Sequence, residues 1–295
     1  MTTPAALDLQ VGGGTLRVLR FGEGPRTAVA AHGITASGMS FGAVARHLPP
    51  DWSLFALDLR GRGHNASAQG PYGIDTHAAD LCAVAERWGG GAPVALTGQS
   101  MGACVALRAA ARRPELFDRL LLVDGGLPLP VLPDTDPDAV LDATLGPVIA
   151  RLSRTYESDE AYLDLFRAHP ALGPEWNEDI EAYVRYDLTG PAGARHSRAQ
   201  EGPVRHDGRE LLTAAASFGE DLTGLTVPAR LLYAPRGLMG TEPGMLPAAL
   251  VAHWTAQVPL LTAEPVPDCN HYTILMGTTA KTVADRLTRA PDQWT

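Results

Sequence analysis

The chain has 295 residues, of which 45% are hydrophobic, and carries a formal net charge of -9. This length and apolar content suffice for a large α/β domain with a sizeable core, and they exclude a chain that is disordered over most of its length. The acidic balance and the lack of a basic run argue against a nucleic-acid partner, because phosphates are neutralised by clustered Lys and Arg.

The three cysteines, Cys82, Cys104 and Cys269, are odd in number and have no spacing typical of a metal site or a disulfide framework. We therefore expect no metal and a reducing, cytoplasmic location. Residues 1–14 lack the basic start and apolar core of a signal peptide, and no apolar run approaches the roughly 18 residues of a membrane span. The sequence predicts a protein that does not enter a membrane, and it says nothing about oligomeric state.

Short apolar runs and amphipathic runs alternate along the first 126 residues. Strands are predicted at 16–21, 27–31, 53–57, 94–97 and 120–123, with helices at 76–88 and 103–112. Alternating strands and helices joined by short links predict a mostly parallel sheet covered by helices on both faces.

After Gly126 the pattern changes to Pro-rich linkers and amphipathic segments that carry aromatic residues. Helices are predicted at 138–154, 158–168, 175–187 and 209–218, with a flexible loop at 190–202 and no convincing strand. Strands return at 229–233 and 263–266, before a last helix at 278–288. We therefore predict a core domain of residues 1–126 and 224–295, with a helical cap (lid) of residues 127–223 inserted after strand 6.

Ser100 stands in Gly98-Gln99-Ser100-Met101-Gly102, a G-x-S-x-G motif at the junction of a predicted strand and a predicted helix. The two glycines allow the close approach of strand and helix that such a sharp turn requires. Ser100 would then project above the sheet as a nucleophile, and the Met101 N–H, at the start of the helix, could stabilise an oxyanion. A serine that only shapes the turn is the alternative.

Two further segments accompany this motif: AHGIT at 31–35 and DLRGRGHN at 58–65. Together they resemble the α/β-hydrolase family over most of the chain outside the insertion. The resemblance implies a mostly parallel eight-stranded sheet flanked by helices, a second oxyanion donor at Ile34 N–H, and a structural role for the 58–65 segment.

The resemblance also implies that His271, between the last strand and the last helix, is the catalytic base. We expect His32 to have a structural role in its loop. The other histidines, expected to be solvated, are His47, His77, His169, His196, His206 and His253.

The acid of the triad departs from the family's pattern. The usual position, in the loop after Leu231-Leu232-Tyr233, has no Asp in this chain. Asp124 ends the strand at 120–123, where some branches of the family place the acid, and Glu242 lies late in the usual loop. We favour Asp124, with Glu242 as the alternative acid. Asp268 is disfavoured, because a neighbour three residues from His271 on a tight loop seldom meets the correct ring nitrogen.

These residues predict a serine hydrolase that cleaves a carboxylic ester or lactone through an acyl-enzyme on Ser100, without a cofactor. The partner would be a small to medium apolar acyl substrate. The same triad would serve a thioesterase, an acyltransferase or a hydrolase of amide or carbon-carbon bonds, and a non-catalytic ligand-binding module is the alternative from another class. The aromatic candidates for the pocket are Tyr156, Tyr162, Phe166, Trp176, Tyr183, Tyr186 and Phe218.

Overall fold

A computed structural model describes residues 3–12, 14–129 and 136–293. Over these ranges the main sheet has eight strands: β1 (Ala5–Val11), β2 (Gly14–Phe21), β3 (Arg26–Ala31), β4 (Trp52–Leu57), β5 (Val94–Gln99), β6 (Phe117–Val123), β9 (Ala229–Tyr233) and β10 (Leu261–Pro265). Their order is β1-β2-β4-β3-β5-β6-β9-β10, and β2 pairs antiparallel with β1 and β4 while all other pairs are parallel. The predicted fold, a mostly parallel eight-stranded sheet, is confirmed.

Helices flank the sheet and fill the segment between β6 and β9. Those of the flanks are α1 (Gly42–Arg46), α2 (Ile74–Trp88), α3 (Met101–Arg112), α9 (Ala248–Gln257), α10 (Thr273–Met276) and α11 (Ala280–Thr288). Those between β6 and β9 are α4 (Pro137–Leu152), α5 (Asp159–Arg167), α6 (Glu178–Asp187), α7 (Glu201–Thr213) and α8 (Ala215–Thr223).

The sheet buries both of its faces. In β6, Leu120 and Leu122 belong to one apolar cluster, whereas Leu121 and Val123 belong to the other. Helices α2 and α3 complete the first cluster, and α1, α10 and α11 complete the second. Strands covered on both sides have continuous apolar runs, which is why the sequence pattern reveals the central strands.

Strand β1 was not among the predicted strands. It pairs antiparallel with β2 at the edge of the sheet, and of its seven residues Leu9 alone is buried. The segment LDLQV at 7–11 alternates apolar and polar residues as a half-exposed strand does, so the sequence contained a strand signal that the analysis missed.

The insertion departs from the predictions in two places. The predicted helix at 209–218 is wrong in its bounds, because α7 and α8 are separate helices that meet at Ala214. The predicted flexible loop at 190–202 contains a strand and the start of α7. That strand, β8 (His196–Ser197), pairs with β7 (Leu188–Thr189) in a two-stranded sheet. Two residues a strand are too few for periodicity to reveal.

The predicted cap of residues 127–223 contains helices α4 to α8, and its part from 130 to 135 lies outside the described residues. Helix α8, at the end of this range, packs on the core helix α3. Phe218 and Leu222 join the apolar cluster of α3, and the buried Arg108 of α3 donates hydrogen bonds to Asp221 and Ser217.

Candidate active site

Ser100 lies at the turn between β5 and α3, with φ 57° and ψ -123°. Positive φ is rare for a residue with a Cβ, and such strain persists only where the surroundings enforce it. The Ser100 N–H donates to Val123 O at 3.0 Å, which ties the turn to the neighbouring strand β6. Among the described non-glycine residues only Asp124 and Asp268 also have positive φ. Strained backbone therefore lies at two of the three predicted triad positions, counting Asp124.

Gly98 and Gly102 permit this turn by leaving room for neighbouring backbone. A Cβ built on Gly98 would lie 2.0 Å from Gly102 O, and one on Gly102 would lie 2.1 Å from Ala31 O. Neither contact is possible for a side chain. The prediction that the two glycines are needed for close approach is confirmed.

His271 and Asp124 are brought together. His271 Nδ1 lies 2.6 Å from Asp124 Oδ2, and both side chains are buried. Asp124 Oδ1 accepts a hydrogen bond from Ala234 N at 3.0 Å, so that the carboxylate is held from two sides. Nδ1 donates to the carboxylate, which leaves the lone pair on Nε2, facing away from Asp124, as the acceptor.

Glu242 and Asp268 occupy different surroundings. Both are exposed, and the Nδ1 of His271 is already taken by Asp124. The structure therefore brings Asp124, rather than Glu242, to the imidazole.

Gln99 is a site residue that the sequence analysis missed. Its buried side-chain amide donates to His271 O at 3.0 Å and lies 3.2 Å from His271 Nε2. The Ser100 hydroxyl forms no hydrogen bond with any residue that the structure describes. The hint in the sequence was a long polar side chain at the end of a strand that is buried throughout.

The two predicted oxyanion donors flank the serine's cavity. Met101 is the first residue of α3, where a backbone N–H has no acceptor within its own helix. Ile34 lies in the loop after β3, and both residues line the same cavity as Ser100 and His271. The Ile34 carbonyl accepts a hydrogen bond from Arg62 Nε at 2.8 Å, which fixes the orientation of this loop.

Arg62 also links the loop to the insertion. Its guanidinium lies 2.5 Å from Asp207 of α7, and Asp207 lies 2.9 Å from His77 Nε2, with all three side chains fully buried. Burial alone would raise the pKa of Asp207, but the hydrogen bond from His77 and the charge of Arg62 hold it below its usual value. The expectation that His77 is solvated is wrong, because its partner lies 130 residues away in sequence.

The rest of the 58–65 segment has the structural role that was expected. Asp58 accepts hydrogen bonds from Gly38 N and His64 N, both at 2.8 Å, and from the Tyr186 hydroxyl of α6 at 2.7 Å. Arg60 forms a two-point ion pair with the buried Asp80 of α2. These contacts join the loop to both the core and the insertion.

His32 is fully buried and neutral. Its Nδ1 donates to Gly33 O at 2.8 Å, and its Nε2 accepts from Leu59 N at 3.0 Å, a pattern that requires the singly protonated ring. Burial lowers the pKa of His32 to about 3. The expected structural role of His32 is thus confirmed by its contacts.

The buried His32 should make the protein sensitive to acid. The unfolded chain binds a proton at His32 below a pKa of about 6.5, whereas the folded chain does not until about 3. Its contribution to the free energy of unfolding is therefore complete above pH 6.5 and falls by about 1.4 kcal/mol for each pH unit below it. Urea unfolding at pH 7, 6 and 5 should show a shallower pH slope for His32→Gln than for the wild type. The exposed His206→Gln is the control, and an equal slope in all three proteins would contradict this prediction.

A cavity of about 480 Å³ lies between the core and the insertion, and Ser100, Met101, Asp124 and His271 contribute to its wall. Most of the wall is apolar, with side chains from α4 and α7 facing the core. Of the predicted pocket aromatics, Tyr183 and Phe218 line the cavity. Tyr156, Tyr162 and Phe166 instead pack on one another within the insertion, with ring centroids 5.0 and 5.3 Å apart.

In the described part of the chain, no group of three or more His, Cys, Asp or Glu side chains is placed to hold a metal ion. None of the helices between residues 3 and 293, the undescribed stretches aside, is both long and apolar enough to cross a bilayer.

Comparison with known proteins agrees with this geometry. A family model described as alpha/beta hydrolase fold matches residues 29–203, more than half of the chain. Lipase LipV of Mycobacterium tuberculosis is 36% identical over 115 residues, which cover 39% of this chain and 43% of the lipase, so the match spans less than half of that relative. The 2-(acetamidomethylene)succinate hydrolase of Mesorhizobium japonicum is 27% identical over 275 residues, covering 90% of this chain and 87% of the relative.

A crystal structure of E-2-(acetamidomethylene)succinate hydrolase has the same fold, with a TM-score of 0.79 and 21% identity over 98% of this chain and 99% of that chain. The sheet order, the position of the G-x-S-x-G turn and the family match lead to one conclusion. This chain belongs to the α/β-hydrolase family of enzymes.

Proposed function

We propose that the protein is a serine hydrolase that cleaves a carboxylic ester or lactone through an acyl-enzyme on Ser100. The observation that carries the proposal is the 2.6 Å contact between His271 Nδ1 and Asp124 Oδ2, on an imidazole that shares one cavity with Ser100. In this assignment Ser100 is the nucleophile, His271 the base and Asp124 the acid, with the Ile34 and Met101 amides as oxyanion donors. The described residues of the range 127–223 form the cap that closes the cavity.

The reaction has two acyl-transfer steps. His271 Nε2 takes the Ser100 proton as the oxygen attacks the substrate carbonyl, while the Asp124 carboxylate stabilises the imidazolium that forms. The two backbone amides hold the developing oxyanion, and the protonated imidazole then donates to the departing alcohol. Water, activated by the same imidazole, attacks the acyl-enzyme and releases the acid. Every proton is carried by His271, so the scheme calls for no cofactor.

Ser100 is preferred to the thiol that lines the same cavity. Cys104 also lines it, but burial raises the pKa of this thiol to about 12. A thiol that stays protonated is a poor nucleophile. Cys104 is therefore assigned to the cavity wall.

A second candidate reaction is hydrolysis of an amide. It is favoured by the relative whose name describes an acetamido group and which aligns over most of this chain. The same nucleophile, base and oxyanion donors would act on either bond, since only the leaving group differs.

The proposal is tested by labelling the nucleophile and by detecting the acyl-enzyme. A fluorophosphonate should add once to each chain, on the peptide that contains Ser100, and p-nitrophenyl octanoate should release a burst of nitrophenol equal to the enzyme concentration. A label on another residue, or turnover without any label, would overturn the assignment. Comparing the octanoyl ester with the octanoyl p-nitroanilide separates the two bonds, and binding of the ester without label or burst would identify a non-catalytic module.

A further inference from the structure

The wall of the cavity offers no free positive charge. No Lys or Arg is among its lining residues, and the residues outside the described ranges contain neither type. Its one histidine is His271, which is paired with the negative carboxylate of Asp124. A substrate carboxylate would therefore find no cation in this wall and would share the cavity with a buried anion.

The other ionisable groups of the wall are neutral. Burial raises the pKa of Cys104 and of Tyr272 to about 12 each, and raises that of Tyr183 further. At physiological pH these side chains carry no charge.

The arginines next to the wall are held by other groups. Arg62, behind Ile34, is paired with Asp207. Arg151, on the same helix as the lining residue Val148, lies 3.1 Å from Asp187. Arg236, whose carbonyl accepts from His271 N, donates its own Nε to Cys269 O. Each of these guanidinium groups is already engaged in a contact within the fold.

Aliphatic side chains make up much of the rest of the wall. Helix α4 contributes Val140, Leu141 and Leu145, and helix α7 contributes Leu211 and Leu212. A volume of about 480 Å³ lies in the range of about 300–1,000 Å³ that small-molecule sites have. A medium-chain acyl group with its alcohol is a small molecule of this kind.

We propose that the site accepts uncharged medium-chain acyl substrates and rejects those that carry a carboxylate. The proposal rests on the proposed function for the bond that is cleaved, but the selectivity follows from the wall alone. It separates this chain from a relative whose name describes a succinate derivative.

The proposed selectivity predicts two changes in kcat/KM. Each added methylene that enters the cavity should improve kcat/KM by about three- to fourfold until the cavity is full. A terminal carboxylate should lower it by at least about 100-fold, because a charge buried without a partner is strongly disfavoured.

The first experiment compares two esters that differ in charge and have the same chain length. Methyl octanoate and monomethyl suberate share eight chain carbons, and the second ends in a carboxylate. The wild type should prefer methyl octanoate by at least about 100-fold in kcat/KM at pH 8. A preference below tenfold, or one for the suberate, would overturn the proposal.

A cation placed in the wall should weaken the discrimination. Leu145 is half-buried and lines the cavity, so Leu145→Arg should improve the relative use of monomethyl suberate by about tenfold or more. Ala143→Arg carries the same charge on the same helix but at an exposed position outside the wall, and it should leave the ratio unchanged. Equal effects of the two variants would overturn the proposal.

Binding of the two esters to the Ser100→Ala variant tests the proposed selectivity independently of the proposed function. Methyl octanoate should raise the thermal unfolding midpoint of this variant, whereas monomethyl suberate at the same concentration should not. If the wild type hydrolyses neither ester but this difference in binding is present, the function is wrong and the selectivity stands. If both ligands stabilise the variant equally, the selectivity is wrong.

Discussion

Replacing Ser100 with alanine is expected to lower kcat for p-nitrophenyl octanoate by about 10⁶-fold, to the level set by binding and the oxyanion donors alone. The variant loses the oxygen that forms the acyl-enzyme in the proposed reaction, while His271 and Asp124 keep their contact. Steady-state hydrolysis and fluorophosphonate labelling measure the loss.

The control for this variant is Ser153→Ala, which removes a hydroxyl from an exposed position at the end of α4. It should match the wild type in rate, labelling and thermal unfolding. Activity of Ser100→Ala within tenfold of the wild type would show that the nucleophile lies elsewhere.

Replacing Asp124 with asparagine should lower kcat by about 10⁴-fold. An asparagine keeps the shape of the side chain, but its neutral amide cannot stabilise the imidazolium and can select the wrong tautomer. The oxygen of the amide can still accept from Ala234 N, so the fold should be retained. Hydrolysis of p-nitrophenyl octanoate and a thermal unfolding curve measure the two effects separately.

Glu242→Gln is the matched comparison, because it removes the charge of the other candidate acid at an exposed position. Its rate should stay within a few-fold of the wild type. If Glu242→Gln instead caused the large loss and Asp124→Asn the small one, the acid would have been assigned to the wrong carboxylate.

The central sheet could be predicted from the sequence because its strands are buried on both faces. Every residue of β4 and β5 is buried, so their apolar runs are nearly continuous. The edge strand β1 and the two-residue strands β7 and β8 have no comparable run. Strand β1 alternates apolar and polar residues over 7–11, a weaker signal, and two residues are too few for β7 and β8 to show any period.

The choice between Asp124 and Glu242 could not be made from sequence for a geometric reason. Strands β6 and β9 are direct neighbours, with Val123 opposite Leu232. The residue after β6 and the loop after β9 therefore reach the same edge of the sheet. Only the position of the His271 ring distinguishes them.

The contacts between segments far apart in the sequence could not be predicted from the sequence pattern either. Asp207 has no visible role in α7 until Arg62 and His77 are placed against it. Likewise, nothing local to Gln99 indicates that its amide meets a loop 172 residues further along the chain.

That Gln99 amide has a consequence for the order of events in the proposed reaction. The lone pair of His271 Nε2 can accept only one hydrogen along its own direction, and at rest the amide of Gln99 is the group 3.2 Å from it. In the proposed reaction the Ser100 proton therefore competes with this amide hydrogen for the same lone pair. The imidazole thus exchanges one hydrogen-bond donor for another before it acts as a base.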